Sequence, residues 1–116
     1  MPRIAIVVVS GSDNPGRAGV GLHVAQRIHE ARAANGIESV EVFLFSRGVR
    51  LLGGDDPELA QLIRGLVADG VLVGGCRSQL DAWNLAETAK DQGVGAEFAR
   101  DAFSRYAREG VTVLTF

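Results

Sequence analysis

The sequence predicts a single α/β domain over residues 1–116, with helices on both faces of a parallel or mostly parallel sheet of about five strands. Three observations favour this fold. Short apolar runs, rich in β-branched residues, alternate with longer segments of helical periodicity. The 15 glycines separate these segments instead of forming a tract. A chain of this length buries roughly two-thirds of its unfolded surface, which is enough for a hydrophobic core without disulfides or metals.

Continuous apolar runs predict the strands. They occupy residues 3–9, 39–45, 71–73 and 111–116, and residues 93–95 have room only for a short additional strand. Uninterrupted runs of this kind are typical of strands that are covered on both faces. Right-handed crossovers bring the carboxyl ends of such strands to one edge of the sheet, where ligands bind in this architecture.

Apolar residues at helical spacing predict helices at residues 17–35, 57–69, about 79–91 and 97–108, each followed by or near a glycine. The second helix has a capping Asp before Pro57 at its first position. Ser78 and Asp81 resemble a capping box at the start of the third helix. Residues 10–16 and 46–54 are predicted to be loops.

Charge and composition exclude several classes of protein. The chain has 14 acidic and 12 basic residues, a net charge of −2, which argues against a nucleic-acid binder. The longest apolar run near the start, Ile4 to Val9, is too short for a signal peptide or a membrane span. We therefore expect a soluble, cytoplasmic protein.

No metal site or cofactor is predicted. The single cysteine excludes an intramolecular disulfide and any multi-cysteine metal site. His23 and His29 are about 240° apart around one helix, so they cannot share a metal ion. Residues 11–18 align with a nucleotide-binding loop, but Arg17 and Ala18 replace the lysine and the hydroxyl that such a loop requires. Backbone N–H groups at Ser10 and Gly11 are still candidates for binding an anion.

Cys76 is the main candidate for chemistry. It follows a predicted buried strand through Gly74 and Gly75, and it precedes a predicted helix N-terminus with Arg77 next in sequence. A helix N-terminus and a neighbouring cation both favour the thiolate form of cysteine. No histidine and asparagine follow in a protease-like pattern, so sulfur transfer or thiol exchange suits this residue better than acyl transfer.

The surroundings of Cys76 supply the candidate anion-binding groups, which are Gly75, Arg77 and Ser78 together with Ser10 and Gly11 at the first loop. A different interpretation is that Cys76 is a small packing residue, as most lone cysteines are.

Four segments, residues 4–9, 42–49, 70–76 and 110–116, resemble in order and spacing the DsrE/TusD-like (DsrE/DsrF-like) family of small sulfur-relay proteins. The resemblance implies a five-stranded α/β sheet, assembly into homo- or hetero-oligomers, and a persulfide on the cysteine after the third strand. By this resemblance the sulfur-carrying role falls on Cys76.

Two main hypotheses of function follow. The first is a persulfide carrier or thiol-exchange protein, possessing sulfurtransferase-like activity through Cys76, with sulfur donor and acceptor proteins as partners. The alternative is a non-catalytic, oligomeric subunit that binds a small ligand or regulates another protein. A flavodoxin-like nucleotide binder is a third, weaker interpretation. The number of large apolar residues predicts a homodimer or homotrimer that uses residues 46–54.

Overall fold

A computed structural model describes all residues, 1–116. Its elements in chain order are β1 (Arg3–Val8), α1 (Pro15–Asn35), β2 (Ser39–Leu44), the 3₁₀ helix η1 (Ser46–Gly53), α2 (Pro57–Ala68), β3 (Leu72–Cys76), α3 (Arg77–Ala82), α4 (Ala86–Asp91), β4 (Gly95–Glu97), α5 (Ala99–Arg108) and β5 (Thr112–Thr115). The order confirms the predicted alternation of strands and helices.

The five strands form one parallel sheet in the order β4-β3-β2-β1-β5, which confirms the predicted fold class. From β1 to β4 the chain advances across the sheet in one direction, and it then returns to the far side of β1. Because parallel crossovers are right-handed, the advancing connections lie on one face and the returning helix lies on the other. We call these the helix-rich face, which carries α1 to α4, and the α5 face.

Each face has its own core. On the helix-rich face, Val42 and Leu44 of β2 pack with Leu22 of α1 and Ile63 of α2, and all four are almost completely buried. On the α5 face the core is aromatic, and the ring of Phe43 lies 5.7 Å from that of Phe103, edge to face. A single helix, α5, therefore covers one face of the sheet, whereas four helices cover the opposite face.

Residues 46–54, predicted as a loop, form the 3₁₀ helix η1. In a 3₁₀ helix the side chains at positions i and i+3 lie above one another, so η1 has three straight columns of residues. Two of these columns face inward, and Val49, Leu51 and Leu52 are buried in the protomer's own core. The prediction of an interface at residues 46–54 depended on these apolar side chains being exposed. Because they are buried, they do not form such a surface.

The predicted helix at residues 79–91 is divided into α3 and α4. Asn84 lies between them in the left-handed region, with a φ of 54°, a conformation that ends a helix and that asparagine tolerates better than most residues. Cys76, not Ser78, is the N-cap of α3, so the capping box expected from Ser78 and Asp81 does not form. Glu97, predicted to begin the last helix, is the final residue of β4.

The last strand, β5, differs most from expectation. It pairs only with β1 at the sheet edge, and Val113 and Leu114 are 41% and 40% exposed instead of buried. Phe116 anchors the segment beyond the strand, because its backbone N–H donates to the carbonyl of Val7 and its ring packs on Gly21. No helix in the chain combines the length and the apolar character needed to cross a membrane.

Candidate thiol site

Cys76 lies at the carboxyl edge of the sheet, at a point where the chain leaves two neighbouring strands towards opposite faces. It ends β3 and pairs in register with Glu97, which ends β4. The chain leaves β3 through α3 on the helix-rich face, whereas it leaves β4 through α5 on the opposite face. Such a divergence between adjacent parallel strands opens a crevice, and in open α/β sheets this is the usual location of a ligand site.

A cavity of about 480 Å³ occupies this crevice. Cys76 is 4% exposed and lines the cavity, so the cavity is the route by which its thiol meets solvent. The lining consists of the ends of β2 and β3, the first turn of α3 and the start of α5: Phe45, Cys76, Ser78, Gln79, Phe98, Ala99 and Arg100. A reagent or partner thiol must enter this cavity to reach the sulfur.

The N-terminus of α5 forms one wall of the cavity. Phe98 is its N-cap and supplies no capping side chain, so no side chain satisfies the first N–H groups of this helix. Those groups and the helix dipole favour negative charge at this wall. The sequence predicted the same role for the helix after Cys76, expected at about residues 79–91, but the helix found there, α3, has only six residues, whereas α5 has ten.

Two arginines flank the ring of Phe98 at the mouth of the cavity. The guanidinium carbons of Arg77 and Arg100 lie 5.6 and 5.5 Å from the ring centroid. Arg77 also donates to the carbonyl of Ala96, at 3.4 Å, and Arg100 pairs with Asp101 at 3.1 Å. Of the two, Arg100 lines the cavity, and it is therefore the cation that faces the contents of the cavity.

A hydrogen bond fixes the opposite wall. The side-chain oxygen of Gln79 accepts the backbone N–H of Ser46, at 2.6 Å. Ser46 has a φ of 56°, in the left-handed region, so the chain turns sharply after β2. This bond joins the end of β2 to α3 and holds Phe45 in the cavity wall beside the thiol.

An ion-pair cluster clamps α5 onto the sheet. Arg105 donates to both carboxylate oxygens of Glu41, at 3.1 and 3.0 Å, and to both of Glu97, at 3.3 and 3.1 Å. These hydrogen bonds, to Glu41 first and then to Glu97, hold the pKa of Arg105 above its ordinary value. Burial raises the pKa of Tyr106, which donates to Glu41, and the negative charge of Glu41 adds to that effect. The cluster joins β2, β4 and α5.

The predicted site residues divide into two groups. Cys76 and Ser78 line the cavity, and Arg77 lies at its mouth. Gly75 is adjacent in sequence, but a side chain there would face Leu80, on the helix-rich face. Ser10 and Gly11 do not line this cavity; their N–H groups donate to the carbonyl of Phe116, at 3.3 Å, and to the carboxylate of Asp13, at 2.8 Å.

The wall that α5 contributes was not predicted from the sequence. Phe98, Ala99 and Arg100 are distant from Cys76 in sequence, and only the pairing of β3 with β4 brings them together. The available signal was the position of Gly93 and Gly95, which mark the boundary between α4 and β4. A strand predicted at residues 95–97 instead of 93–95 would have placed its carboxyl end, and the start of α5, beside Cys76.

No family model matches the chain, and no curated protein matches it. Solved structures do. The ychN protein from E. coli has a TM-score of 0.80 at 22% identity over 100% of both chains. MTH1491 from Methanobacterium thermoautotrophicum has 0.74 at 20% identity, again over 100% of both. BT1422 from Bacteroides thetaiotaomicron has 0.74 at 14% identity, over 97% of this chain and 94% of the other. MTH1491 and BT1422 are described as proteins of unknown function, and at these identities the likeness shows a shared fold.

Proposed function

We propose that the chain is a small sulfur carrier of the DsrE/TusD-like type, which holds a persulfide on Cys76 and exchanges it with partner thiols. One observation carries this proposal: the thiol of Cys76 lies in a cavity whose opposite wall is the uncapped N-terminus of α5. A cavity that admits small reagents and shields the sulfur from bulk solvent suits a reactive, transient sulfur species.

The proposed reaction is an exchange between sulfur atoms. The thiolate of Cys76 attacks the outer sulfur of a donor persulfide, R–S–SH. A new S–S bond forms at Cys76, the donor S–S bond breaks, and its electron pair leaves on the donor thiolate. An acceptor thiolate then attacks the outer sulfur on Cys76 and takes it as a persulfide, which regenerates the Cys76 thiolate. Neither step needs an external oxidant or reductant.

The walls of the cavity favour the anionic forms in both steps. The N–H groups at the start of α5 and the guanidinium of Arg100 offset the negative charge of a thiolate or a persulfide anion. No general base is required, because a persulfide donor and a thiol acceptor exchange through their anions. We expect a reducing, cytoplasmic location, where free thiols persist.

The decisive experiment loads the protein with sulfur. The purified chain is incubated with glutathione persulfide, desalted, and analysed by intact mass spectrometry and peptide mapping. We expect a gain of one sulfur atom on Cys76, and its transfer to a thiol-reduced acceptor peptide on mixing. Cys76→Ser is the matched control. A wild-type protein that gains no sulfur under these conditions, while a free-cysteine peptide does, contradicts the proposal.

A different observation supports the oligomeric assembly that the alternative, a non-catalytic subunit, requires. Leu72, Phe103 and Val113 lie on the thinly covered α5 face and are 63%, 37% and 41% exposed. We propose that two or three copies associate through this face, whatever the role of Cys76. Light scattering at tens of micromolar tests association, and Leu72→Lys with Val113→Lys should yield a monomer. A wild-type monomer at that concentration would contradict it.

A further inference from the structure

A second cavity, of about 440 Å³, lies at the carboxyl edge of the sheet and shares no residue with the thiol site. The loop after β1, the helix η1 and the end of α3 border it. Its lining is mainly polar and carries two cations: Ser12, Asp13, Arg47, Arg50 and Trp83. This edge is where parallel α/β sheets usually bind ligands. None of the residues that line the thiol site lines this second cavity.

The geometry of η1 places the two arginines together. Arg47 and Arg50 are three residues apart, and in a 3₁₀ helix that spacing places their side chains in one column. The other two columns are buried, so this column is the solvent-facing one. A 3₁₀ helix of eight residues is also unusually long.

Gly11 allows the remaining wall to come close. A Cβ atom on Gly11 would lie 2.5 Å from the carbonyl oxygen of Arg47, so only glycine allows the loop after β1 to approach η1 this closely. The approach places Ser12 and Asp13 opposite the arginine column. The cavity is therefore built by close backbone packing at its base, although its arginine side chains are exposed.

The positive charge in the cavity is only partly balanced. The guanidinium of Arg47 lies 4.0 Å from the carboxylate of Asp13, which is the limit of an ion pair. Arg50 has no carboxylate partner, and its guanidinium carbon lies 4.2 Å from the ring centroid of Trp83. Stacking on an aromatic ring orients a guanidinium and leaves its N–H donors free. One carboxylate thus faces two guanidinium groups in a chain whose net charge is −2.

We propose that Arg47 and Arg50 bind the phosphate group of a small phosphorylated molecule in this cavity. Two planar guanidinium groups match the oxygen atoms of a phosphate dianion with paired, charge-assisted hydrogen bonds. The hydroxyl of Ser12 supplies a further donor, and the cavity is several times larger than a phosphate ion, leaving room for an organic group beside Trp83. The proposal is independent of any reaction at Cys76.

Trp83 is the only tryptophan in the chain, so its fluorescence reports directly on the cavity. Wild-type protein is titrated at constant ionic strength with inorganic phosphate, with ribose 5-phosphate and with ribose. Isothermal calorimetry is run in parallel, since it detects binding that leaves Arg50 stacked on the ring. We expect saturable binding of both phosphates at millimolar concentration or below, tighter for the phosphomonoester, and none of ribose.

Variants test the assignment to these residues. Arg47→Gln and Arg50→Gln should each weaken phosphate binding about tenfold, the cost of one charged hydrogen bond. Asp13→Asn should tighten binding, because it removes the competing carboxylate and keeps an oxygen that accepts the N–H of Gly11. Arg64→Gln, an exposed arginine on α2, is the matched control. Circular dichroism confirms that each variant is folded.

Three outcomes would overturn the proposal. The first is the absence of saturable binding by both fluorescence and calorimetry. The second is equal weakening by Arg64→Gln, which would indicate a general charge effect. The third is binding of ribose as tight as that of ribose 5-phosphate, which would show that the phosphate group is not recognised. Binding of inorganic phosphate but not of ribose 5-phosphate would support the role of the two arginines and contradict the proposal that the ligand is a phosphorylated organic molecule.

Discussion

Gly48 packs directly against the backbone of Val8: a Cβ atom at Gly48 would overlap the carbonyl oxygen of that residue. The same carbonyl accepts the N–H of Phe45, at 3.0 Å, so it cannot easily move away. This contact seats η1 on the end of β1. It also sets the position of Arg47 on one side and of Phe45 on the other, and so connects the two cavities at the sheet edge.

Gly48→Ala should therefore lower the free energy of unfolding by about 3 kcal/mol, the upper end of typical overpacking costs. Gly65→Ala is the matched control, because a Cβ there has open space within an α-helix, and it should stabilise the protein by up to about 1 kcal/mol. Urea unfolding followed by circular dichroism measures both. Equal stability of the two variants would show that η1 is not seated on β1 as described.

Arg105→Met should destabilise the protein by about 2 kcal/mol, less than for a fully buried pair because Arg105 is 24% exposed. The loss arises because Glu41 and Glu97 remain close together without a cation. Adding Glu41→Gln and Glu97→Gln to the Met variant should restore part of the stability by removing that repulsion. If the triple variant is less stable than Arg105→Met alone, the repulsion argument is wrong.

Stability should fall above about pH 10 because of Tyr106, the only tyrosine in the chain. Its pKa is raised in the folded state by burial and then by Glu41, while the unfolded chain has an ordinary tyrosine pKa of about 10. Above that pH the unfolded state loses the phenolic proton first, so rising pH favours unfolding, by at most about 1.4 kcal/mol per pH unit. Tyr106→Phe should flatten this part of the profile. An unchanged slope in that variant would exclude Tyr106 as its source.

The proposed sulfur chemistry predicts that iodoacetamide at pH 7 modifies Cys76 faster than it modifies an unstructured cysteine peptide, because the N–H groups at the start of α5 and the guanidinium of Arg100 line the same cavity as the reacting sulfur. Arg100→Gln should slow the reaction several-fold, and Arg108→Gln, at the opposite end of the same helix, should leave the rate unchanged. Mass spectrometry of timed aliquots gives the rates. A native rate at or below that of the peptide would instead support a packing role for Cys76.

The sheet could be predicted from sequence because each central strand carries its own signal. After Arg3, β1 is continuously apolar, and β2 is apolar apart from Ser39 and Glu41, since helices cover both sides of these strands. The two edge strands could be predicted less completely. β4 has only three residues, and β5 has an apolar sequence but exposed side chains, because strand order decides burial and the local sequence does not specify that order.

Only the part of the candidate site that lies on one continuous segment of the chain was predicted from the sequence. Cys76 and Ser78 lie on one continuous segment, so their proximity follows from a strand that runs into a helix. Phe98 and Arg100 reach the same cavity through the pairing of β3 with β4, which is a tertiary relationship. The 3₁₀ helix was missed for a related reason: its pattern of inward-facing residues has a period of three, which neither an α-helix nor a strand produces.

The position of β5 has a consequence for folding. Ile4 pairs with Thr112, so a central strand of the sheet acquires its second neighbour only when a segment more than a hundred residues later is in place. Contacts of such long sequence separation form slowly. During synthesis, β1 can pair with β2 early, but its other side presents unpaired N–H and C=O groups until β5 arrives. Nascent or partly unfolded chains are therefore most exposed to aggregation along β1.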